Sequence, residues 1–453
     1  MALATRTRQR NNTRVLVITD DVEGTAALIS ALRAQSLDIQ LTGFTGEALP
    51  ELPEQAPSAV LCFLTDYVER SASLVEAIRT RYAPRVVPVI GRLSRDVPTD
   101  HPFDSVMYAP VHPVQVAHRV AAMIRLGQME HEIIRRMDTL RDDFGQTIAL
   151  RDDDLSQPFR ILFVGQADPA YMAVVNALQG RNVDVVAAFT SFSAFDYLHD
   201  RTFDAVVMNA LRDTEPAMTI TETMRRNPRL YHVPTLFLID AETFTAQSES
   251  FDKGARDLID ANSPMPEIAG RIIELANYHR LHTRLKAEFR GLGGAACTDP
   301  ETGVFNADFL SAHLKRVSRA CRARAVPLSI LTMKLHPAST DAVSGDDLRR
   351  AYGRAIQMIA GLVRMQDLVA RVEPDTVIIA FPEEVRASVE TVLERMTGLI
   401  ECAAFETSSS GSLTLEIEAA IVEQEVHESA DMLIGNGLRS VVRDGEPLSK
   451  RAV

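Results

Sequence analysis

The residues able to do chemistry fall in a few places. Arg364 and Asp367 stand three apart in Arg364-Met-Gln-Asp367. A planar guanidinium fork can donate in pairs to phosphate oxygens or base acceptors, while a nearby carboxylate accepts. Arg151 and Asp154, and Arg201 and Asp204, share that spacing. An Arg and Asp three apart also commonly form a plain surface ion pair. Spacing alone therefore leaves a ligand site and an ion pair both open. Glu373-Pro-Asp-Thr-Val377 separates two apolar runs, and Lys334 lies near the end of an earlier one. Asp20 and Asp21 close the first apolar run, Asp66 follows the second, and Asn209 closes its counterpart later in the chain. Cys62, Cys297, Cys321 and Cys402 form no CxxC pair. That excludes a disulfide framework and a cysteine zinc site, and fits a reducing cytoplasm.

The elements that must position these residues can be read from apolar patterning. Arg14–Thr19, Ala59–Leu64, Val86–Ile90 and Ser105–Tyr108 are short apolar runs alternating with helical stretches. Such alternation predicts a doubly wound α/β domain. The layout recurs at Arg160–Gly165, Ala205–Met208, Pro234–Ile239 and Gly254–Ile259, a duplication at a spacing near 145 residues. Residues 114–144 carry Ile133, Met137, Leu140 and Phe144 at near-heptad spacing, and residues 266–289 carry a similar stripe. A terminal domain helix and a dimerising coil fit these stripes equally. From Thr298 the pattern changes to helix 307–323, strand 328–335, helix 346–363, a strand pair at 368–381, a helix to about 399 and strand 413–421.

The chain has 453 residues, which suggests three domains. Its net charge is −13, the wrong sign for a general DNA or RNA binder. The first residues carry no apolar core of a signal peptide, and no run approaches a membrane span, so membrane insertion is not expected.

The third segment resembles a GGDEF domain, the fold of diguanylate cyclases. Asp299-Pro-Glu-Thr-Gly-Val-Phe-Asn306 is similar to the entry motif D-x-L-T-G-L-x-N. Arg371-Val-Glu-Pro-Asp-Thr-Val-Ile-Ile-Ala-Phe-Pro382 aligns with the signature hairpin, its arginine and closing proline in register. The resemblance implies a fold of two receiver-like doubly wound (βα)5 domains followed by a GGDEF, nucleotidyl-cyclase-like α/β domain. The expected divisions are 12–145, 158–289 and 296–447, each receiver ending in a helical linker.

The same resemblance implies that cyclase chemistry is absent. The condensation of two GTP molecules needs metal ions on the triphosphate. One family metal carboxylate maps to Lys334, whose cation repels a metal. The other maps to Asp375, retained alone. The signature glycines, which let nucleotide approach the backbone, map to Glu373 and Pro374. The loop 336–346 is short and lacks a guanine-reading Asn. Ala430–Gly437 lacks the triphosphate lysine. No catalytic residue, no metal and no cofactor are expected.

One family site survives. The allosteric RxxD of such cyclases places its Arg nine residues, and its Asp six, before the first signature residue. Counting back from Glu373 gives Arg364 and Asp367. The fork suits guanine O6 and N7 or phosphate, and the carboxylate suits guanine N1–H and N2–H. The expected ligand is cyclic di-GMP, with Arg395 matching the family's second arginine.

The first two segments resemble response-regulator receivers. In the first, Asp20 and Asp21 persist, the phosphoacceptor register falls on Phe63, and Asp66 lies three further on as a possible phosphorylation site. Ala109 replaces the lysine. In the second, Gly165 and Gln166 replace the acids, Asn209 the acceptor and Ala261 the lysine. Two receivers before a GGDEF domain is the layout of PleD-type cyclases, and with a decayed signature that of PopA-type effectors in cell-cycle control. It implies a cytoplasmic, non-catalytic effector with an address at the cell pole that dimerises through its receivers and recruits localisation proteins or proteolysis adaptors. A nucleotide-independent receiver scaffold and a residual cyclase or GTP-binding enzyme are the alternatives.

Overall fold

The structure is a computed structural model describing residues 13–34, 37–44, 49–64, 69–83, 85–93, 101–109, 111–149, 157–339, 343–408 and 411–443. The described residues form two compact units. One holds those of 12–128 and 151–285, the other those of 129–150 and 286–453.

The first unit contains two domains of one topology. The first comprises β1 (Thr13–Thr19), α1 (Val22–Ala34), β2 (Leu37–Gly43), β3 (Ala59–Phe63), α2 (Glu69–Tyr82), β4 (Val89–Leu93), β5 (Ser105–Tyr108) and the start of α3 (Pro113–Phe144). Its parallel sheet runs β2-β1-β3-β4-β5. The second comprises β6 (Phe159–Val164), α4 (Pro169–Leu178), β7 (Val183–Ala188), α5 (Ser191–Asp200), β8 (Ala205–Asn209), α6 (Glu215–Arg226), β9 (Thr235–Ile239), α7 (Gln247–Lys253), β10 (Asp257–Asp260) and α8 (Met265–Gly291). Its sheet runs β10-β9-β8-β6-β7, the same order read from the other edge. This is the receiver-like doubly wound arrangement. Helices on both faces bury the central strands, so Val15–Ile18 and Ala59–Phe63 are apolar throughout. β2 and β7 are edge strands that the apolar runs do not reveal. β2 reads Leu-Asp-Ile-Gln-Leu-Thr-Gly and buries only Ile39 fully.

A buried polar network joins these two domains. Arg271 on α8 donates to Asp257 at 2.9 Å and to the Tyr108 carbonyl at 2.9 Å, and pairs with Glu267 at 3.0 Å. Gln115 on α3 donates to the same Asp257 carboxylate at 2.5 Å.

The second unit is built on β11 (Phe305–Asn306), α9 (Ala307–Ala323), β12 (Leu328–Pro337), α10 (Gly345–Ala360), β13 (Leu368–Glu373), β14 (Thr376–Pro382), α11 (Arg386–Glu401), β15 (Phe405–Glu406), β16 (Ser412–Leu413), β17 (Leu415–Glu423) and α12 (Ala430–Arg443). The main sheet runs β11-β13-β14-β12-β17, with the last four strands antiparallel. This is a βαββαβ plan, the GGDEF-like α/β domain that the motif order predicts. Leu331, Met333 and Leu335 of β12 face Ile356 and Ile359 of α10 and Val389 and Met396 of α11 in one core. Residues 129–149 of the long helix and its end belong to this unit, where Ile133 and Leu140 are buried and Phe144 meets Phe309 at 5.8 Å. The stripe on α3 therefore packs within its own chain.

Candidate functional site

α10 ends at Ala360 with Gly361 as its C-cap, and a tight turn leads into β13. The Asp367 N–H donates to the Arg364 carbonyl at 3.0 Å, and the Arg364 N–H donates to Asp367 Oδ2 at 2.9 Å. The four-residue motif thus closes on itself through backbone and carboxylate. Asp367 is only 7% exposed. Burial pushes its carboxyl up to about 7, with Glu384 adding to the effect and Arg364 and Arg136 opposing it. The Arg364 side chain is 61% exposed and donates to Glu384 at 2.6 Å. Arg395, one helix away, donates to the Leu362 carbonyl at 2.7 Å. The structure therefore brings Arg364, Asp367 and Arg395 to one turn. The Arg364 fork is engaged by Glu384, the Asp367 carboxylate by the Arg364 N–H, and Arg395 by the Leu362 carbonyl.

Sequence reasoning missed two partners of this turn. Glu384 lies twenty residues from Arg364 on the far side of the hairpin. Arg136, on α3, donates to the Asp367 carbonyl at 3.0 Å. Arg136 is itself fixed by Glu132 at 2.8 Å and lies over the rings of Phe289 and Phe305. His313 Nε2 meets Glu132 at 2.9 Å and its Nδ1 meets Thr139 at 2.9 Å. Burial lowers His313 below its ordinary value against the pull of Glu132. The ring is thus held between the Glu132 carboxylate and the Thr139 hydroxyl, which itself donates to the Arg135 carbonyl at 2.9 Å. Burial alone would raise Glu132, but His313, Arg136 and Arg135 hold its carboxyl well below the usual range. The Glu132–Arg136 spacing of four on a helix was the one visible signal.

The signature hairpin is a two-residue turn, Pro374-Asp375, between paired Glu373 and Thr376. Arg371 locks it, donating to the Pro374 carbonyl at 2.7 Å, to Asp299 at 3.1 Å and to Glu301 at 2.6 Å. Asp299 also accepts from the Thr302 N–H at 2.9 Å and hydroxyl at 2.6 Å, and Asn306 caps α9 by accepting from the Phe309 N–H. The entry motif is thus a scaffold for the turn. Lys334 Nζ lies 3.9 Å from the Asp375 carboxylate. Among the described residues, no group of three or more His, Cys, Asp or Glu side chains could hold a metal ion.

In the first receiver-like domain, Phe63 is buried at the end of β3, and Asp66 lies outside the described residues. Asp21 accepts from the Gly24 N–H at 2.8 Å, an N-cap for α1. A side chain on Gly24 would collide with that carboxylate. In the second, the Asn209 amide donates to Asp168 at 2.9 Å, and its carbonyl accepts from the Leu211 N–H at 3.2 Å. Asp168 also caps α4. Asn209 therefore ties two loops at the sheet's carboxyl edge, beside a cavity of about 200 Å³.

No protein-family model matches the chain, and no curated protein matches it. Solved structures resemble its separate domains. The GGDEF domain of DgcB from Caulobacter crescentus, in complex with c-di-GMP, is 16% identical over 34% of this chain and 89% of that one, with a TM-score of 0.29. Diguanylate cyclase SiaD, in complex with its activator SiaC from Pseudomonas aeruginosa, is 20% identical over 39% of this chain and 70% of its own, with a TM-score of 0.30. A Chloroflexus aurantiacus chain described as a response regulator is 21% identical over 27% of this chain and 99% of its own, with a TM-score of 0.25. Among the described residues, no helix is long and apolar enough to cross a membrane.

Proposed function

We propose that this chain is a non-catalytic effector that binds cyclic di-GMP at Arg364, Asp367 and Arg395. The observation that carries the reading is their convergence. Arg364 and Asp367 share the turn 362–367, and Arg395 reaches the Leu362 carbonyl of that turn from α11. A guanine edge and a phosphate need that combination of donors and acceptor. The net charge of −13 excludes a spread polyanion but not a small dianion held by two placed arginines.

Loss of catalysis rests on the signature turn. Lys334 faces Asp375, and Arg371 is spent on Asp299, Glu301 and the Pro374 carbonyl. In-line phosphoryl transfer needs cations on the triphosphate, and this turn presents an ammonium where a carboxylate must hold one. The layout adds the rest of the proposal: receivers that dimerise and recruit localisation or proteolysis-adaptor proteins, and a polar cellular address. Incubating the full chain with GTP and Mg²⁺ tests the catalytic half. Unconsumed GTP supports the effector reading; cyclic di-GMP or GDP as product contradicts it.

A further inference from the structure

We infer that the C-terminal half of α3 latches this ligand site shut, so that docking of Arg136 on the turn and binding of the dinucleotide oppose one another. The inference rests on the proposed ligand site and names its regulation.

Asp367 faces inward. Its Oδ2 accepts the Arg364 N–H, and its residue is 7% exposed. A guanine that donates N1–H and N2–H must draw this carboxylate outward. The same peptide segment carries the carbonyl that Arg136 holds at 3.0 Å. Drawing the carboxylate out breaks its bond to the Arg364 N–H, and opening the turn which that bond closes moves the Asp367 carbonyl off Arg136.

The latch is rigid on its own side. Arg136 is buried, bonded to Glu132 and flanked by the faces of Phe289 and Phe305 at 4.9 and 5.3 Å. Glu132 is anchored in turn by His313 and Arg135. Arg136 therefore has little freedom to follow a moving turn, and its hydrogen bond breaks. Glu384 works in the same direction by holding the Arg364 fork that a ligand must capture. Coupling of this kind is reciprocal: whatever the latch costs the ligand, the ligand costs the latch. Arg136 is thus a positioning residue that acts through Asp367.

The test uses the full chain with Arg136→Ala and the conservative Arg136→Lys. Glu132 retains His313 and Arg135 in both, which keeps the helix docked. Hydrogen exchange without ligand comes first. Arg136→Ala should speed exchange of the 364–367 amides about tenfold, with Arg136→Lys closer to wild type. Unchanged exchange overturns the latch whether or not the dinucleotide binds. Titration with cyclic di-GMP follows. Arg136→Ala should bind roughly fivefold tighter or more, and added ligand should speed exchange along residues 129–144 of the wild type. Equal or weaker binding by Arg136→Ala, with a wild type that does bind, overturns the antagonism alone. Absence of binding by both proteins defeats the ligand reading and the antagonism with it.

Discussion

Arg136 donates to the backbone carbonyl of Asp367 at 3.0 Å, across 231 residues of sequence. The contact ties a helix that begins in the first receiver-like domain to the turn carrying the Arg-x-x-Asp motif. It also helps fix the environment that buries the Asp367 carboxyl.

That burial has a pH signature. The carboxyl has an ordinary value of 3.8 and is raised to about 7 in the fold. Between these values the native state holds a proton that the unfolded chain releases, so stability falls as pH rises through the window and levels above about 7. Asp367→Asn removes this dependence. Denaturant titrations at about pH 5.5 and about pH 8 should show the variant gaining about 2 kcal/mol on the wild type between the two. A constant difference would contradict the buried carboxyl.

Ligand affinity should move the opposite way. A protonated Asp367 cannot accept two guanine N–H groups, so cyclic di-GMP should bind more tightly at about pH 8 than at about pH 6. Arg364, Arg136 and Glu384 are the charged groups that face the same carboxyl. Calorimetry at the two values reads the difference, and affinity that is flat or falls with pH counts against Asp367 as the acceptor.

The buried network between the receiver-like domains should be costly to break from one side. Arg271→Met leaves Asp257 and Glu267 without their cation, each side chain under 5% exposed. A loss of about 3–5 kcal/mol is expected in chemical denaturation. Arg271→Lys should rescue little, because one ammonium cannot reach both carboxylates and the Tyr108 carbonyl. A loss under about 1 kcal/mol would show the network to be dispensable.

Lys334→Asp should make a cation site beside the turn 373–376. The new carboxylate would face Asp375, whose oxygen now lies 3.9 Å from the lysine nitrogen. Two carboxylates attract a divalent cation where an ammonium repels it. Mn²⁺ binding followed by electron paramagnetic resonance should appear in the variant and be absent from the wild type. Mn²⁺ bound equally by both proteins would remove Lys334 as the blocking group.

Much of this was legible in sequence, for physical reasons. Central parallel strands such as Val15–Ile18 are buried on both faces, so their composition declares them. The hairpin was legible because a two-residue turn, with Glu373 opposite Thr376, joins two apolar strands, although the register shifts between Arg371 and Glu373. β2 and β7 were not legible as apolar runs, because Asp38, Gln40 and Thr42 interrupt the first and Asp184 the second. The partners of the ligand turn were hidden for another reason. Arg136 and Glu384 reach it from distant elements, and only folding brings them there. Asn209 was legible as the residue that closes its strand, but its link to Asp168 was not.

The central claim is that the turn at Arg364 and Asp367 binds cyclic di-GMP. Calorimetric titration of the full chain tests it most directly, with the wild type beside Arg364→Ala. The account predicts saturable heat for the wild type and at least about a tenfold loss of affinity in the variant, the removal of one charge-assisted contact. No heat from the wild type, or equal affinity in Arg364→Ala, would contradict it.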